Sequence, residues 1–452
     1  MIEGRDDANR IRPWAKRPTY WQFRGEPVLL LGGSVEDNLF QVPDLAAHLD
    51  LLRSAGGNYV RCTMSSRAAG NVWPFARRDD GLYDLDRPNE EYWRRFEEFL
   101  KLTGERDVIV QIELWATFDY YRENWAVSPW NPANNVNYSA DETGLPTEVP
   151  THPIKTGNSF FRTTPEEDDQ QIVLAHQRAF VDRVCSAAMK YGHVLYCMDN
   201  ETSVSARWGA YWSARVKARA AEAGVNVETT EMWDPHELDH EMHARTFDHP
   251  ETYSFVDVSQ NNHQVGRRHY DALLAARRRV LASGRPRPMN NVKVYGADTG
   301  PHGSGDNGLG RFWRDIFAGC ASARFHRPPS GHGLSEIARA HIRSARMLTD
   351  ALGVVESEPA DEALTRRDDR EAYCLAHPAG RWALFFPDGG DVDLDTSAAG
   401  GKPLTIRWLD IAKSEWLEPA EAIRDGQLKT PAPGYWAALL EPLDRRRKEP
   451  KP

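Results

Sequence analysis

One pattern constrains this chain more than any other. Short, β-rich apolar runs alternate with helical stripes from residue 28 to residue 352. The runs lie at 28–33, 58–63, 108–113, 194–198, 225–230, 253–258, 289–295 and 320–325. Between them apolar residues recur at three- and four-residue spacing, as in Leu45, Leu49, Leu52 and in Tyr92, Trp93, Phe96, Phe99, Leu100. Further helices are read over 168–190, through Leu273, Leu274, Val280 and Leu281, through Phe312, Trp313, Ile316 and Phe317, and over 334–352. Strands buried on both faces and joined by helices form parallel sheets. Eight such units predict a closed (β/α)8 barrel. A doubly wound open sheet is the rival. It would more usually have five to seven strands and a phosphate-binding loop after the first.

The boundaries follow from changes of texture. Residues 1–354 are assigned to the barrel. From 355 to 442, short strand-like runs recur at close spacing with turns such as Pro387-Asp388-Gly389-Gly390 between them. That predicts an antiparallel β-sandwich. Residues 443–452, a charged tail, are expected to be disordered. Within the barrel, 116–167 lacks periodicity and is rich in Asn, Pro and aromatics. It leaves the carboxyl end of the third strand and is read as a wall or lid of a cleft.

Charge and cysteine content exclude several classes. The net charge of −10 argues against nucleic acid, which needs a basic face. No apolar stretch reaches membrane-spanning length. No apolar leader is visible near Met1, so a cytoplasmic chain is expected unless a leader has been removed. Five cysteines, an odd number with no CxxC, read as free thiols.

Chemistry-bearing residues gather where the strands should end. Ser34, Glu36 and Asp37 follow the first strand and Arg67 the second; Glu113 and Trp115 end the third. Glu231 and Trp233 follow the fifth; Gln260, Asn261, Asn262 and His263 the sixth; Tyr295 the seventh; His326 and Arg327 the eighth. A polar ring with aromatic faces is what a sugar pocket needs, since hydroxyls require hydrogen bonds and ring C–H faces stack on aromatics. At the end of the fourth strand stands Asn200-Glu201. Cleaving a glycosidic bond requires a carboxylic acid to protonate the leaving oxygen, and Glu201 is the candidate, with Asn200 placed to orient a hydroxyl.

Two other motifs compete. His236-Glu237-Leu238-Asp239-His240 fits the HExxH pattern of zinc hydrolases. However, Asp234-Pro235 reads as an N-cap and first helical residue, which puts His236 in the first turn of a polar helix. Gly303-Ser304-Gly305-Asp306-Asn307-Gly308 fits GxGxxG but follows the seventh strand at too great a distance, and is read as a loop over the barrel mouth.

Several segments, in order, resemble the apiosidase-like glycoside hydrolase barrels that carry a collagen-binding-type β-domain. They are Tyr20-Trp21-Gln22-Phe23-Arg24-Gly25-Glu26-Pro27, Leu31-Gly32-Gly33-Ser34, Asn200-Glu201, Phe312 to Ala321, and Arg407-Trp408-Leu409-Asp410. The resemblance implies an acid after the fourth strand and a nucleophilic Glu ending the seventh. Here the seventh strand reads Pro288-Met289-Asn290-Asn291-Val292-Lys293, with lysine at the nucleophile position. Lys293 could bind an anionic sugar, hold a hydroxyl, or lower a neighbouring acid's pKa. A replacement carboxylate would come from Asp298, ranked first, or from Asp37, Glu113 or Glu231.

The expectation is therefore a glycoside hydrolase, exo-acting on plant or microbial oligosaccharides. Its catalytic residues are Glu201, Asp298 and Lys293. Substrate is held by Asp37, Glu113, Trp115, Asn200, Glu231, Trp233, His263, Tyr295 and His326. The alternatives are a non-catalytic carbohydrate-binding barrel and a lyase using Lys293 as base. Neither metal nor organic cofactor is implied. The expected partner is carbohydrate, with no nucleic acid or membrane, and a homo-oligomer is compatible.

Overall fold

The computed structural model describes residues 9–152, 158–297, 302–328, 330–365, 372–399, 402–423 and 426–443. Eight parallel strands form one sheet: β1 (Leu30–Gly33), β2 (Tyr59–Thr63), β3 (Ile109–Ala116), β4 (Val194–Asn200), β5 (Thr229–Thr230), β6 (Val256–Asp257), β7 (Met289–Val294) and β8 (Ser322–Phe325). Their spatial order is β5-β4-β3-β2-β1-β8-β7-β6. Sequential neighbours pair from β1 to β5 and from β6 to β8, and β8 returns to β1, Ala323 beside Leu31. The seam between β5 and β6 is closed by Ser254 N donating to Thr229 O (2.9 Å) and Thr230 Oγ1 to Phe255 O (2.9 Å). This is the expected (β/α)8 barrel.

The fifth and sixth strands are shorter than their apolar runs suggested. At the end of β5 the Glu231 side chain accepts from Asp199 N at 2.7 Å, filling the role a backbone carbonyl would play in a longer strand. The covering helices are α1 (Leu45–Ser54), α2 (Glu90–Glu105), α3 (Gln171–Ala188), α4 (Ala206–Glu222), α5 (Glu241–Phe247), α6 (Gly266–Ala282), α7 (Gly305–Phe317) and α8 (Glu336–Leu352). Serine side chains N-cap three of them: Ser205 on α4 and Ser335 on α8 each accept from a first-turn N–H, and Ser304 on α7 closes a reciprocal capping box with Asn307. The GxGxxG segment is thus the capped start of α7.

An antiparallel sheet formed by Arg12–Trp14, Arg17–Phe23 and Glu26–Val28 precedes the barrel. Its Trp21 is fully buried, with Nε1 donating to Asn290 Oδ1 on β7 (2.9 Å) and its ring edge-on to Phe255.

The C-terminal strands form two sheets. The larger one has the order Glu358–Pro359, Tyr373–His377, Arg381–Phe386, Trp436–Pro442, Leu404–Asp410, Glu415–Trp416, with Ala420–Ile423 also on Leu404–Asp410. The smaller one joins Leu364–Thr365, Asp391–Leu394 and Gln427–Lys429. Period-two alternation divides the larger sheet's side chains between two cores. Tyr373, Leu375, Ala383, Phe385, Ala437 and Leu439 join the barrel's core, while Cys374, Trp382, Leu384, Phe386, Ala438 and Leu440 pack in a second one with Val392, Leu394 and Leu428 of the small sheet. Phe385 stacks on Trp313 of α7 at 5.2 Å, and Arg314 donates to the Tyr373 hydroxyl at 2.9 Å. The strands of the expected 355–442 β-domain thus share one core with the barrel and enclose a second one between the two sheets. The tail beyond Leu443 lies outside the described residues.

The 116–167 segment corrects an expectation. It is not a lid. Tyr120, Trp125, Trp130, Phe160 and Phe161 are buried, and Tyr120 stacks on Phe160 at 4.2 Å. Its asparagines are structural: Asn131 Nδ2 donates to Trp125 O (3.1 Å) and Thr147 O (2.9 Å). The aromatics that suggested sugar stacking are the segment's own core, and Phe118 is its residue at the cleft. Residues 153–157 lie outside the described residues. No helix among the described residues is long and apolar enough to cross a membrane. All five cysteines are buried and none forms a disulfide.

Candidate active site

A charged residue in the middle of a buried strand must be answered by partners, and Arg61 organises the barrel mouth for that reason. It is the lone charge in Tyr59-Val60-Arg61-Cys62-Thr63 and is 1% exposed. Its guanidinium donates in three directions: Nε to Glu113 Oε1 (2.7 Å), Nη1 to Asp37 Oδ1 (2.6 Å) and Nη2 to Asn200 Oδ1 (2.8 Å). One side chain from β2 thereby ties the ends of β1, β3 and β4 together. Arg327, after β8, donates to the other Asp37 oxygen at 2.7 Å and completes the ring.

Opposite stands the seventh strand. Asn290 donates to the Tyr59 hydroxyl at 3.1 Å, whereas Asn291 turns to Asp315 of α7. The pairing with β8 is irregular between Asn291 and Val294. That irregularity breaks the alternation and aims Lys293 at the mouth. Lys293 Nζ donates to Asn200 Oδ1 at 3.0 Å and to Glu201 Oε1. Tyr295 donates its hydroxyl to the same Glu201 oxygen at 2.7 Å, and its ring lies between His302 (4.3 Å) and His326 (4.4 Å). Glu201 itself has φ +55°, a left-handed conformation costly for a residue with a Cβ. The chain leaves β4 through this turn with the Glu201 side chain at the cleft.

The charge states follow. Burial opposes ionisation of Glu201, but Lys293, Tyr295 and Arg61 outweigh it and lower its pKa. Asp37 behaves alike: burial works against Arg61 and Arg327, and the cations win, holding the carboxyl well below its usual range. Burial, reinforced by the Glu201 charge, raises the Tyr295 hydroxyl well above 10 and keeps it a donor. Burial also keeps His326 neutral, well below its ordinary value.

These groups surround a cleft of about 370 Å³ at the carboxyl end of the barrel. Of the expected site residues, Asp37, Asn200, Glu201, Lys293, Tyr295 and His326 line it, with Arg67, Gln260, Asn262 and Arg327 from the polar ring. His263 stands at its edge, stacked on His236 at 3.6 Å. Four expectations fail on placement. Trp115 is fully buried among Trp130, Phe160, Phe180, Trp208 and Trp212. Trp233 is 1% exposed, its Nε1 donating to Thr246 Oγ1 at 2.6 Å. Glu113 is enclosed as a counter-ion of Arg61, and Glu231 is enclosed beside Asp199. Asp298 lies outside the described residues.

Sequence reasoning missed Arg61, Phe118, Asp234 and His302, and it weighed His236 only as a zinc ligand; all five line the cleft. His236 to His240 form a bend and turn, and His240 instead N-caps α5, so the HExxH helix does not exist. Among the described residues no group of three or more His, Cys, Asp or Glu has the geometry to hold a metal.

No family model and no curated protein matches the chain. Solved structures do. A glycoside hydrolase family 5 protein from Bacteroides vulgatus superposes with a TM-score of 0.63 at 10% identity, over 96% of this chain and 94% of its own. A protein described as a glycoside hydrolase gives 0.65 at 10% identity, over 98% of both chains. A family 27 β-L-arabinopyranosidase from Geobacillus stearothermophilus, in complex with arabinose, gives 0.52 at 11% identity, over 95% and 98%. The chain therefore has the fold of (β/α)8 glycoside hydrolases, including the added β-domain within the matched length.

Proposed function

We propose that this chain is a glycoside hydrolase acting on terminal residues of plant or microbial oligosaccharides, with Glu201 as the carboxyl at its reacting centre. The observation that carries the reading is Glu201 itself: a strained residue at the end of β4, its carboxyl in the barrel-mouth cleft and fixed by Lys293 and Tyr295. The structural neighbours named as glycoside hydrolases support the class, and the order of apiosidase-like segments points the same way. The cleft sits at the small end of the roughly 300–1,000 Å³ range of small-molecule sites, which favours a chain end over a polymer interior.

Of the roles considered for Lys293, lowering a neighbouring acid's pKa fits best. It donates to both Glu201 and Asn200, as an ammonium does, so nothing favours the lyase in which it acts as base. The same ion pair argues against Glu201 as resting proton donor, because a carboxylate stabilised by an ammonium and a phenol carries no proton to give. It also leaves one second reading open, a carbohydrate-binding barrel whose reacting acid is neutralised.

Turnover of a panel of 4-nitrophenyl glycosides and oligosaccharides decides. The wild type should hydrolyse at least one, and Glu201→Gln should lose kcat/KM on the order of 10³-fold or more while keeping its fold. Glycan binding without turnover by the wild type would select the binding barrel.

A further inference from the structure

Hydrolysis needs a proton donor, and an ionised Glu201 does not supply one. The loop after β5 offers a second carboxyl. Thr202 N donates to Met232 O (2.9 Å), and Asp234 N donates to Thr202 O (2.8 Å). With the parallel bridge between Thr202 and Trp233, these bonds lash the two strand ends together one residue beyond Glu201. Trp233 sends its ring toward Thr246, so the next residue faces the other way, and Asp234 lines the cleft with Glu201.

The two carboxyls meet different surroundings. Glu201 receives an ammonium and a phenol. The Asp234 carboxyl has no hydrogen-bond or ion-pair partner among the described residues. The charged and titratable groups that act on it are Glu201, His152, His236 and Lys293. Burial first, and the Glu201 charge second, raise its pKa above the ordinary 3.8. Two carboxyls in one site whose environments push them apart are an acid and a base by assignment.

Resting on the glycosidase reading above, we propose that Asp234 is the proton donor of this site and Glu201 its nucleophile. In the first step Asp234 gives its proton to the glycosidic oxygen, which leaves as an alcohol with the electron pair of the broken C–O bond, while a Glu201 oxygen bonds to the anomeric carbon. In the second, Asp234 takes a proton from water as the water oxygen attacks that carbon, and the Glu201 carboxylate leaves with the bond's electron pair. One water is consumed, Asp234 is reprotonated and Glu201 is ionised again. A carboxylate with a lowered pKa is a poor base for water. It leaves readily, which suits the nucleophile's place and predicts retention of configuration.

The test uses the sugar that the wild type turns over, presented as a methyl glycoside, whose departure needs a proton, and as a 2,4-dinitrophenyl glycoside, whose departure does not. Asp234→Asn should lose on the order of 10³-fold in kcat/KM on the methyl glycoside and less than about tenfold on the dinitrophenyl one. On the dinitrophenyl glycoside, whose glycosyl-enzyme forms without a proton, added azide should raise the kcat of Asp234→Asn and yield a glycosyl azide, and it should not rescue the methyl glycoside. Glu201→Gln should fall on both substrates alike. Independently of any variant, a 2-deoxy-2-fluoro glycosyl fluoride should label Glu201 of the wild type. Label on Asp234, or a leaving-group split shown by Glu201→Gln and absent from Asp234→Asn, overturns the assignment while the glycosidase reading stands. A wild type that turns over no glycoside overturns both.

Discussion

Two sets of acids occupy this barrel at nearly the same depth, and their surroundings push their pKa values in opposite directions. At the mouth, Asp37 and Glu201 are 6% and 8% exposed. Asp199, Glu231 and Asp257 are 0%, 0% and 3% exposed. Burial penalises the ionised form in both sets. The mouth acids face Arg61, Arg327 and Lys293 and are held ionised. The enclosed ones have no cation at ion-pair distance among the described residues. Burial raises Asp199 and Glu231 well above the carboxylate range and lifts Asp257 to about 6. Asp199 instead accepts from the Trp208 indole at 2.9 Å, and Glu231 from two backbone amides. The partner, not the depth, sets the charge, and the partnered set is the one that reaches the cleft.

Removing the partner should break the contrast. Arg61→Met leaves Glu113 and one side of Asp37 buried without their cation, and should cost about 3–5 kcal/mol in urea denaturation at pH 7. A cost under about 1 kcal/mol would mean that the mouth acids are not maintained by the cation.

Removing an enclosed acid should have a smaller effect of opposite sign. Asp257 is raised from 3.8 to about 6. Below the lower value both folded and unfolded chains hold the proton. Between the two, the unfolded chain releases it first, so stability falls as pH rises, and the loss is complete above the upper value. Asp257→Asn abolishes that loss. The variant should exceed the wild type by about 2–3 kcal/mol at pH 7 and by nothing near pH 4. A pH-independent difference would contradict the raised pKa. The mouth acids work the other way: their lowered values give stability that is present above the ordinary carboxylate range and lost as pH falls from that range through the lower folded values.

The smallest effect is expected at Glu231. A neutral Gln keeps the acceptor for Asp199 N and Met232 N, so Glu231→Gln should change stability by less than about 1 kcal/mol at pH 7. A loss of several kcal/mol would show that Glu231 is ionised in the fold.

The contrast also explains what was legible in the sequence. Apolar strands and helical stripes are set by local periodicity, so the barrel and its β-domain could be read directly. Glu201, Asn200 and Lys293 were found because strand ends are where barrel sites lie. Trp115 and Trp233 occupy the same kind of position yet face the helices: Trp115 finds a packed aromatic shell there, and Trp233 a hydroxyl acceptor on Thr246 and the Arg245 guanidinium over its ring. The long aromatic segment misled for the same reason. Arg61 carried a readable signal, a single charge inside an otherwise apolar strand, and such a residue demands buried partners wherever it sits. Asp234 did not, because its meaning depends on the Thr202–Trp233 bridge between two chain segments. As an N-cap it had a complete local explanation, and the helix it was to cap does not form.

Infrared difference spectroscopy tests most directly whether partners set these charges. Spectra of the wild type minus Glu201→Gln and of the wild type minus Glu231→Gln, both at pH 6, isolate one carboxyl each. The Glu201 difference should show an ionised carboxylate and the Glu231 difference a protonated acid. A protonated Glu201 in the resting protein would contradict the Lys293 ion pair, and with it the division between the two sets of acids.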